Sequence, residues 1–247
     1  MEKQVEQIVQ WLREQVKQAG VKGLVVGISG GLDSAVVSHL IHRAFPDNSL
    51  GVLLPIYTSD ENLDDAKQVA QSSGIQTMTV DLTDTHKTMY AEIKSSLNES
   101  DAFIEENDKL AGANLRARLR MSTLYALATN YNYLVVGTDN AAEWYTGYFT
   151  KYGDGGVDIL PIVEFTKQEV REMAKYLGVP EQVVEKKPSA DLWEGQTDED
   201  EMGTSYDTID AYLKGEQIPD RDKEIIEAMH KKTAHKRDGL PQFHREK

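Results

Sequence analysis

The 247-residue chain contains no cysteine. That absence excludes disulfides, thiolate-ligated zinc and a cysteine nucleophile. Positive charge is scarce: 27 Lys and Arg stand against 41 Asp and Glu, a net charge of −14. A surface this acidic repels nucleic acid and carries no phosphate-tracking face. Polyanionic ligands would then need locally concentrated cations or metal ions. No apolar run approaches the roughly 20 residues of a membrane helix. The opening Met1-Glu2-Lys3-Gln4-Val5-Glu6 lacks the pattern of a secretory signal, so a cytoplasmic location is expected. Internal repeats are missing as well. With 28% charged and 40% hydrophobic residues, the composition is that of a soluble globular protein. The length suits one α/β domain over 1–247.

The chain is organised around Leu24-Val25-Val26-Gly27-Ile28-Ser29-Gly30-Gly31-Leu32-Asp33-Ser34. The apolar run reads as a buried strand, Ser29-Gly30-Gly31 as a tight turn, and Ser34 onward as a helix with apolar residues three and four apart. A strand, a glycine turn and a helix start together make an anion site, because backbone N–H groups and the positive end of the helix dipole meet at the turn. Ser29 and Ser34 add hydroxyl donors, while Asp33 places a carboxylate suited to a cation. The lysine of a G-x-x-x-x-G-K-[ST] loop is lacking.

Helical spacing of Val5, Ile8, Val9, Leu12, Val16 and Ala19 predicts a helix over 2–19, ended by Gly20. Further strands are expected over 48–55, 75–81 and 133–137, with helices over 61–72, 83–97 and 112–129. Residues 98–109 read as a polar surface connection. Alternating strands and helices indicate a doubly wound parallel sheet flanked by helices, whose ligands sit at the carboxyl ends of the strands. Thr138 to Glu143 follow the fourth strand and so share a rim with the glycine turn. Glu143 is positioned to bring a second carboxylate to a magnesium ion, although alone it reads as a helix-start acid.

Thr146 to Pro161 is rich in glycine and aromatics and suits a loop whose backbone approaches a flat ligand, or else a connector. A helix is expected over 166–177, then an acidic, loop-like stretch over 186–204 that is a candidate lid. Helices follow near 205–214 and 219–232, and a basic tail, His235-Lys236-Arg237, reads in isolation as frayed sequence.

The Ser-Gly-Gly-x-Asp-Ser loop resembles that of the ATP-pyrophosphatase families. With Asn114–Met121, Gly137–Glu143, Thr146–Asp158, Leu160–Ile162, Lys187–Leu192 and His235–Arg237 in this order, the chain resembles the ammonia-dependent NAD⁺ synthetase family over nearly its whole length. The resemblance implies an adenine nucleotide alpha hydrolase-like, Rossmann-like fold. It also implies adenylation of the nicotinate carboxylate of deamido-NAD⁺ by ATP and magnesium, after which ammonia displaces AMP. In those terms Gly27, Ile28, Ser29, Gly30, Gly31, Leu32, Asp33 and Ser34 bind the ATP phosphates, with Thr138, Lys167 and Ser189 as further ATP contacts. Asp33 and Glu143 match the magnesium ligands. Arg118 or Arg120, Lys151, Asp158, His235 and Lys236 match the deamido-NAD⁺ contacts. Ser29, Asp33 and Lys167 are the residues expected to act in catalysis.

A homodimer is also implied, with the substrate site at the subunit interface, which would account for the exposed-looking Tyr145, Tyr148 and Phe149. Ser189 stands where relatives often have threonine, and Asn140 where they often have histidine. Without a cysteine the chain cannot house a glutaminase, so free ammonia is the expected donor unless a separate glutaminase subunit delivers it. Two other readings compete. One is a different adenylating ligase on the same loop, and the other is a nucleotide-binding sensor without turnover.

Overall fold

The computed structural model describes residues 1–188 and 197–245. Four strands form a parallel sheet: β1 (Gly23–Gly27), β2 (Ser49–Leu53), β3 (Gln76–Thr79) and β4 (Tyr133–Val135), in the order β3-β2-β1-β4. Val25 pairs with Leu50 on one side and with Val135 on the other. All four expected strands are present: β2 and β3 are trimmed at both ends, β4 at its end, and β1 begins and ends one residue earlier than expected. The chain winds outward from β1 to β3 and then crosses to β4 on β1's other edge. The carboxyl ends of β1 and β4 therefore flank the switch point where such sheets hold ligands.

Period-two alternation divides the core. Leu24 and Val26 face one layer with α1 (Glu2–Ala19), α2 (Leu32–Ala44) and α7 (Lys167–Leu177). Val25, Leu50, Val52 and Val135 face the other, beneath Leu124 and Ala128 of α5 (Glu105–Tyr131). A third cluster joins Ala142 of α6 (Ala141–Thr146), Met202 of α9 (Asp198–Met202), Tyr206 and Ile209 of α10 (Tyr206–Leu213) and Ile226 of α11 (Asp220–Lys232). The remaining helices are α3 (Asp60–Ser73), α4 (Thr83–Glu99), α8 (Glu181–Glu185) and α12 (Ala234–Arg237), the last following α11.

Two expectations are corrected. Helix α5 begins at Glu105, inside the stretch read as a surface connection. Glu105, Glu106 and Asp108 look like loop composition, yet acids in a first turn complement the helix dipole. The basic tail is docked rather than frayed. Lys236 Nζ donates to the carbonyls of Gly147 (2.7 Å) and Phe149, and Arg237 Nη1 donates to that of Trp144 (3.2 Å).

Within 186–204, Asp198–Met202 is a helix and 189–196 lie outside the described residues. No helix among the described residues is long and apolar enough to cross a membrane.

Candidate active site

The turn after β1 is organised by its own hydroxyls. Ser29 N donates to Ser34 Oγ (3.2 Å), Gly31 N to Ser29 Oγ (3.2 Å), and Ser34 Oγ to Gly31 O (3.0 Å). Gly30 has φ +85°, and a Cβ there would lie 2.9 Å from both Ala66 N and Asn62 O. Only glycine lets the turn lie this close on α3 without strain. Gly31 is the N-cap of α2 and no side chain caps that helix, so its first-turn amides and positive dipole face the turn.

Asp33 lies in that first turn. Its Oδ2 is 2.5 Å from Lys167 Nζ, and its Oδ1 accepts from Asn140 Nδ2 at 2.9 Å. Asn140 caps α6 reciprocally with Glu143: Glu143 N donates to Asn140 Oδ1 and Asn140 N to Glu143 Oε2, both at 3.1 Å. The box leaves Glu143 Oε1 directed at Lys167 Nζ, 3.3 Å away. Helix α7 is capped in the same manner by Thr166 and Glu169, which sets Lys167 at its first position, 2% exposed. Three short strings distant in sequence thus converge on one ammonium.

Burial disfavours the Lys167 ammonium, but the Asp33 and Glu143 carboxylates outweigh it and hold its pKa above the ordinary value. Burial and Asp33 push the Glu143 carboxyl up to about 7 against the pull of Lys167. Asp139, buried at the end of β4, is raised by burial and by Asp154, Glu143 and Asp33. Its Oδ2 has no hydrogen-bond partner among the described residues. Two carboxylates facing the phosphate-type turn are the hard oxygen donors that Mg²⁺ takes alongside phosphate oxygens. Lys167 Nζ already marks the spot as one that favours positive charge.

Sequence reasoning missed three members of this cluster. The Tyr206 hydroxyl lies 2.9 Å from Glu143 Oε1 and 3.0 Å from Asp198 Oδ2, within reach of either carboxylate for its one proton, and its ring lies 4.6 Å from Lys167 Nζ. Asp210, one turn further along α10, accepts from the backbone amides of Lys167 (3.1 Å) and Gln168 (3.0 Å). The Tyr206-x-x-x-Asp210 spacing on one helical face was the available signal.

The expected dinucleotide contacts are spread along one edge. Arg118 is exposed, and its Nη2 donates to Lys151 O at 3.2 Å. Lys151 Nζ donates to His235 O, so Arg118, Lys151, His235 and Lys236 form one neighbourhood beside the 147–157 loop. Arg120 stands apart, with Nε on Leu54 O (3.0 Å). Asp158 accepts from Val135 N (2.8 Å) and Tyr125 OH (2.9 Å), which fixes the end of β4. Thr138 is half-buried at the end of β4, and Ser189 lies outside the described residues.

Parts of the glycine-rich loop are packed against the chain itself. A Cβ at Gly155 would lie 2.4 Å from Phe149 Cδ2, and one at Gly147 2.3 Å from Thr233 Cβ. At these two positions the missing Cβ admits the chain's own side chains. The aromatics likewise pack internally: Phe149 stacks on Trp144 at 5.3 Å and Tyr145 on His230 at 4.0 Å. Phe149 is buried and Tyr145 and Tyr148 half-buried within the chain, so no partner subunit is needed to account for them.

This arrangement defines a class: a doubly wound α/β protein with a glycine turn and a two-acid, one-lysine cluster at its switch point. The NAD synthase family profile matches residues 4–240. The chain is 58% identical to the NH(3)-dependent NAD(+) synthetase of Alkaliphilus oremlandii, over 98% of this chain and 96% of that protein. Among solved structures, the NMN synthetase from Francisella tularensis superposes with a TM-score of 0.90 at 38% identity, over 98% and 97% of the two chains. The NAD⁺ synthetase from Burkholderia pseudomallei superposes with a TM-score of 0.79 at 31% identity, over 96% and 89%. The chain belongs to the NAD synthase family.

Proposed function

We propose that this chain is an ammonia-dependent NAD⁺ synthetase. The nicotinate carboxylate of deamido-NAD⁺ attacks the α-phosphorus of ATP, an acyl-oxygen–phosphorus bond forms, and pyrophosphate leaves. Ammonia then attacks the acyl carbon, a carbon–nitrogen bond forms, a proton is lost and AMP departs. The observation that carries this reading is the Lys167 ammonium held 2.5 Å from Asp33 and 3.3 Å from Glu143, beside the Ser29–Ser34 turn.

No nucleophilic side chain is needed, because the substrate supplies the carboxylate. The chain's work is orientation and charge placement. The Gly30–Gly31 turn and the first amides of α2 hold the departing pyrophosphate. Lys167 neutralises charge as it develops on the phosphates. Asp33 and Glu143 would hold Mg²⁺, which when bound supplies Lewis-acid neutralisation of phosphate oxygens. Arg118, Lys151, His235 and Lys236 sit where a dinucleotide would run along the edge of the 147–157 loop. Their present carbonyl contacts are ones a ligand would replace.

A cytoplasmic homodimer completes the reading. Met89, Ile93 and Leu97 form an exposed stripe on α4, and Ile104 and Leu110 are 55% and 59% exposed nearby in sequence. That is apolar surface of the kind subunits bury.

The 0.90 superposition with an NMN synthetase favours a second reading, in which the acceptor is the mononucleotide. One assay addresses both. Product amide and pyrophosphate are measured with ATP, Mg²⁺ and either deamido-NAD⁺ or nicotinate mononucleotide, with ammonium or glutamine as donor. NAD⁺ formed from deamido-NAD⁺ and ammonium but not glutamine is the expected result. Faster amidation of the mononucleotide would transfer the assignment to the second reading, and glutamine-supported turnover would overturn the nitrogen donor.

A further inference from the structure

Tyr206 stands between two carboxylates with one proton to give. Its side chain is fully buried, and its hydroxyl lies 2.9 Å from Glu143 Oε1 and 3.0 Å from Asp198 Oδ2. A phenol carries its proton at neutral pH. An O–H donates once. The proton therefore points at Glu143 or at Asp198, never at both.

The two acceptors belong to different parts of the molecule. Glu143 Oε2 is committed to the α6 capping box, so Oε1 is the oxygen offered to Lys167 and to Tyr206. Asp198 opens α9, a five-residue helix. A helix this short has little intrinsic stability, so its order depends on ties to its surroundings. Several of those ties lie around Tyr206. Tyr206 N donates to Glu199 Oε1 (3.0 Å), Tyr148 OH donates to Glu201 Oε2 (2.5 Å) with Asp198 Oδ1 at 3.3 Å, and Met202 packs with Ala142, Tyr206 and Ile209.

We propose that Tyr206 is a positioning residue whose single hydroxyl proton couples cation occupancy at Asp33 and Glu143 to the docking of α9. The inference rests on the reading above that a divalent cation binds those carboxylates with ATP. A cation drawing on Glu143 Oε1 weakens that oxygen as a hydrogen-bond acceptor. The proton then turns to Asp198 and the tie to α9 strengthens. The coupling is reciprocal: a docked α9 keeps the proton on Asp198 and leaves Glu143 free for the cation. Phenylalanine at 206 would keep the ring beside Lys167 and remove only the proton.

Hydrogen exchange of the 199–203 amides, with and without Mg²⁺ and a non-hydrolysable ATP analogue, tests this in the wild type and in Tyr206→Phe. In the wild type Mg²⁺ with the analogue should slow exchange there by about fivefold or more relative to the analogue alone. Tyr206→Phe should lose that increment and bind Mg²⁺ several-fold more weakly while still binding the analogue. An increment retained in Tyr206→Phe, or absent from the wild type, overturns the coupling. If Tyr206→Phe fails to fold, Asp198→Ala carries the same test, with a Mg²⁺ titration as its readout: unaltered affinity overturns the proposal. Asp33→Asn and Glu143→Gln separate the two levels. If neither weakens Mg²⁺ binding, the cation reading itself falls and the coupling falls with it. If both weaken it and Tyr206→Phe keeps its increment, the cation reading stands and only the coupling fails.

Discussion

Lys167 carries one positive charge into a buried cluster with two carboxylates, and that imbalance sets what substitution does there. Asp33→Asn leaves one ammonium facing one carboxylate, so folding should change by no more than about 1 kcal/mol. Turnover should fall by at least ~10²-fold, the scale seen when a preorganised charge-stabilising group is lost. Thermal unfolding and kcat measured on the same preparation check this, and parallel losses would make Asp33 scaffolding. Burial, opposed by Lys167 and reinforced by Asp33, lifts Glu143 from 4.5 to about 7. A carboxyl raised by folding binds its proton more tightly in the native state. Its contribution is therefore complete below pH 4.5, declines as pH rises to about 7, and is level beyond. Without Mg²⁺, Tm between those pH values should fall less steeply in Glu143→Gln than in the wild type. Identical slopes would place the titration elsewhere. Asp33, Glu143 and Lys167 were legible because each sits in a short string at an element end. Tyr206 was not, because its partner Glu143 lies 63 residues away and nothing local to either residue signals the contact.

At the scale of elements, the turn between β1 and α2 depends on α3 as its seat. Gly30→Ala would demand a left-handed alanine and a Cβ 2.9 Å from backbone atoms of α3. The variant should lose about 1–3 kcal/mol and show a raised KM for ATP, because the turn must lift off that seat. A KM equal to the wild type's would mean the turn does not hold the phosphates. Periodicity located β1, α1, α2 and α7 closely because each presents a clean apolar pattern to the core. It misplaced the start of α5, where the acids that serve the helix dipole mimic a loop. It also could not tell that 147–157 folds upon itself, since a glycine that admits Phe149 and one that admits a ligand are identical in sequence.

The whole molecule sets a polyanion-binding site in a chain of net charge −14. Cations are accordingly gathered at one rim, with Lys167 beneath the turn and Arg118, Lys151 and Lys236 along the loop edge. The parallel sheet was legible from alternating strands and helices, and the rule placing ligands at strand carboxyl ends points to the rim where the candidate site lies. Which strand β4 would join was not legible: the pairing of Val25 with Val135 is a tertiary fact. The exposed Met89, Ile93 and Leu97 stripe on α4 bears on assembly. If it is the subunit interface, sedimentation should find a wild-type dimer and an Ile93→Glu monomer. A monomeric wild type, or a variant that stays dimeric, would contradict that.

The central claim is that the site adenylates a carboxylate in a step separable from amide formation. Its most direct test is exchange of labelled pyrophosphate into ATP, with Mg²⁺ present and ammonium absent, with and without deamido-NAD⁺. Label should enter ATP only when deamido-NAD⁺ is present, and Lys167→Met should abolish the exchange. Exchange that ignores deamido-NAD⁺, or no exchange from an enzyme that still makes NAD⁺ when ammonium is added, would contradict it.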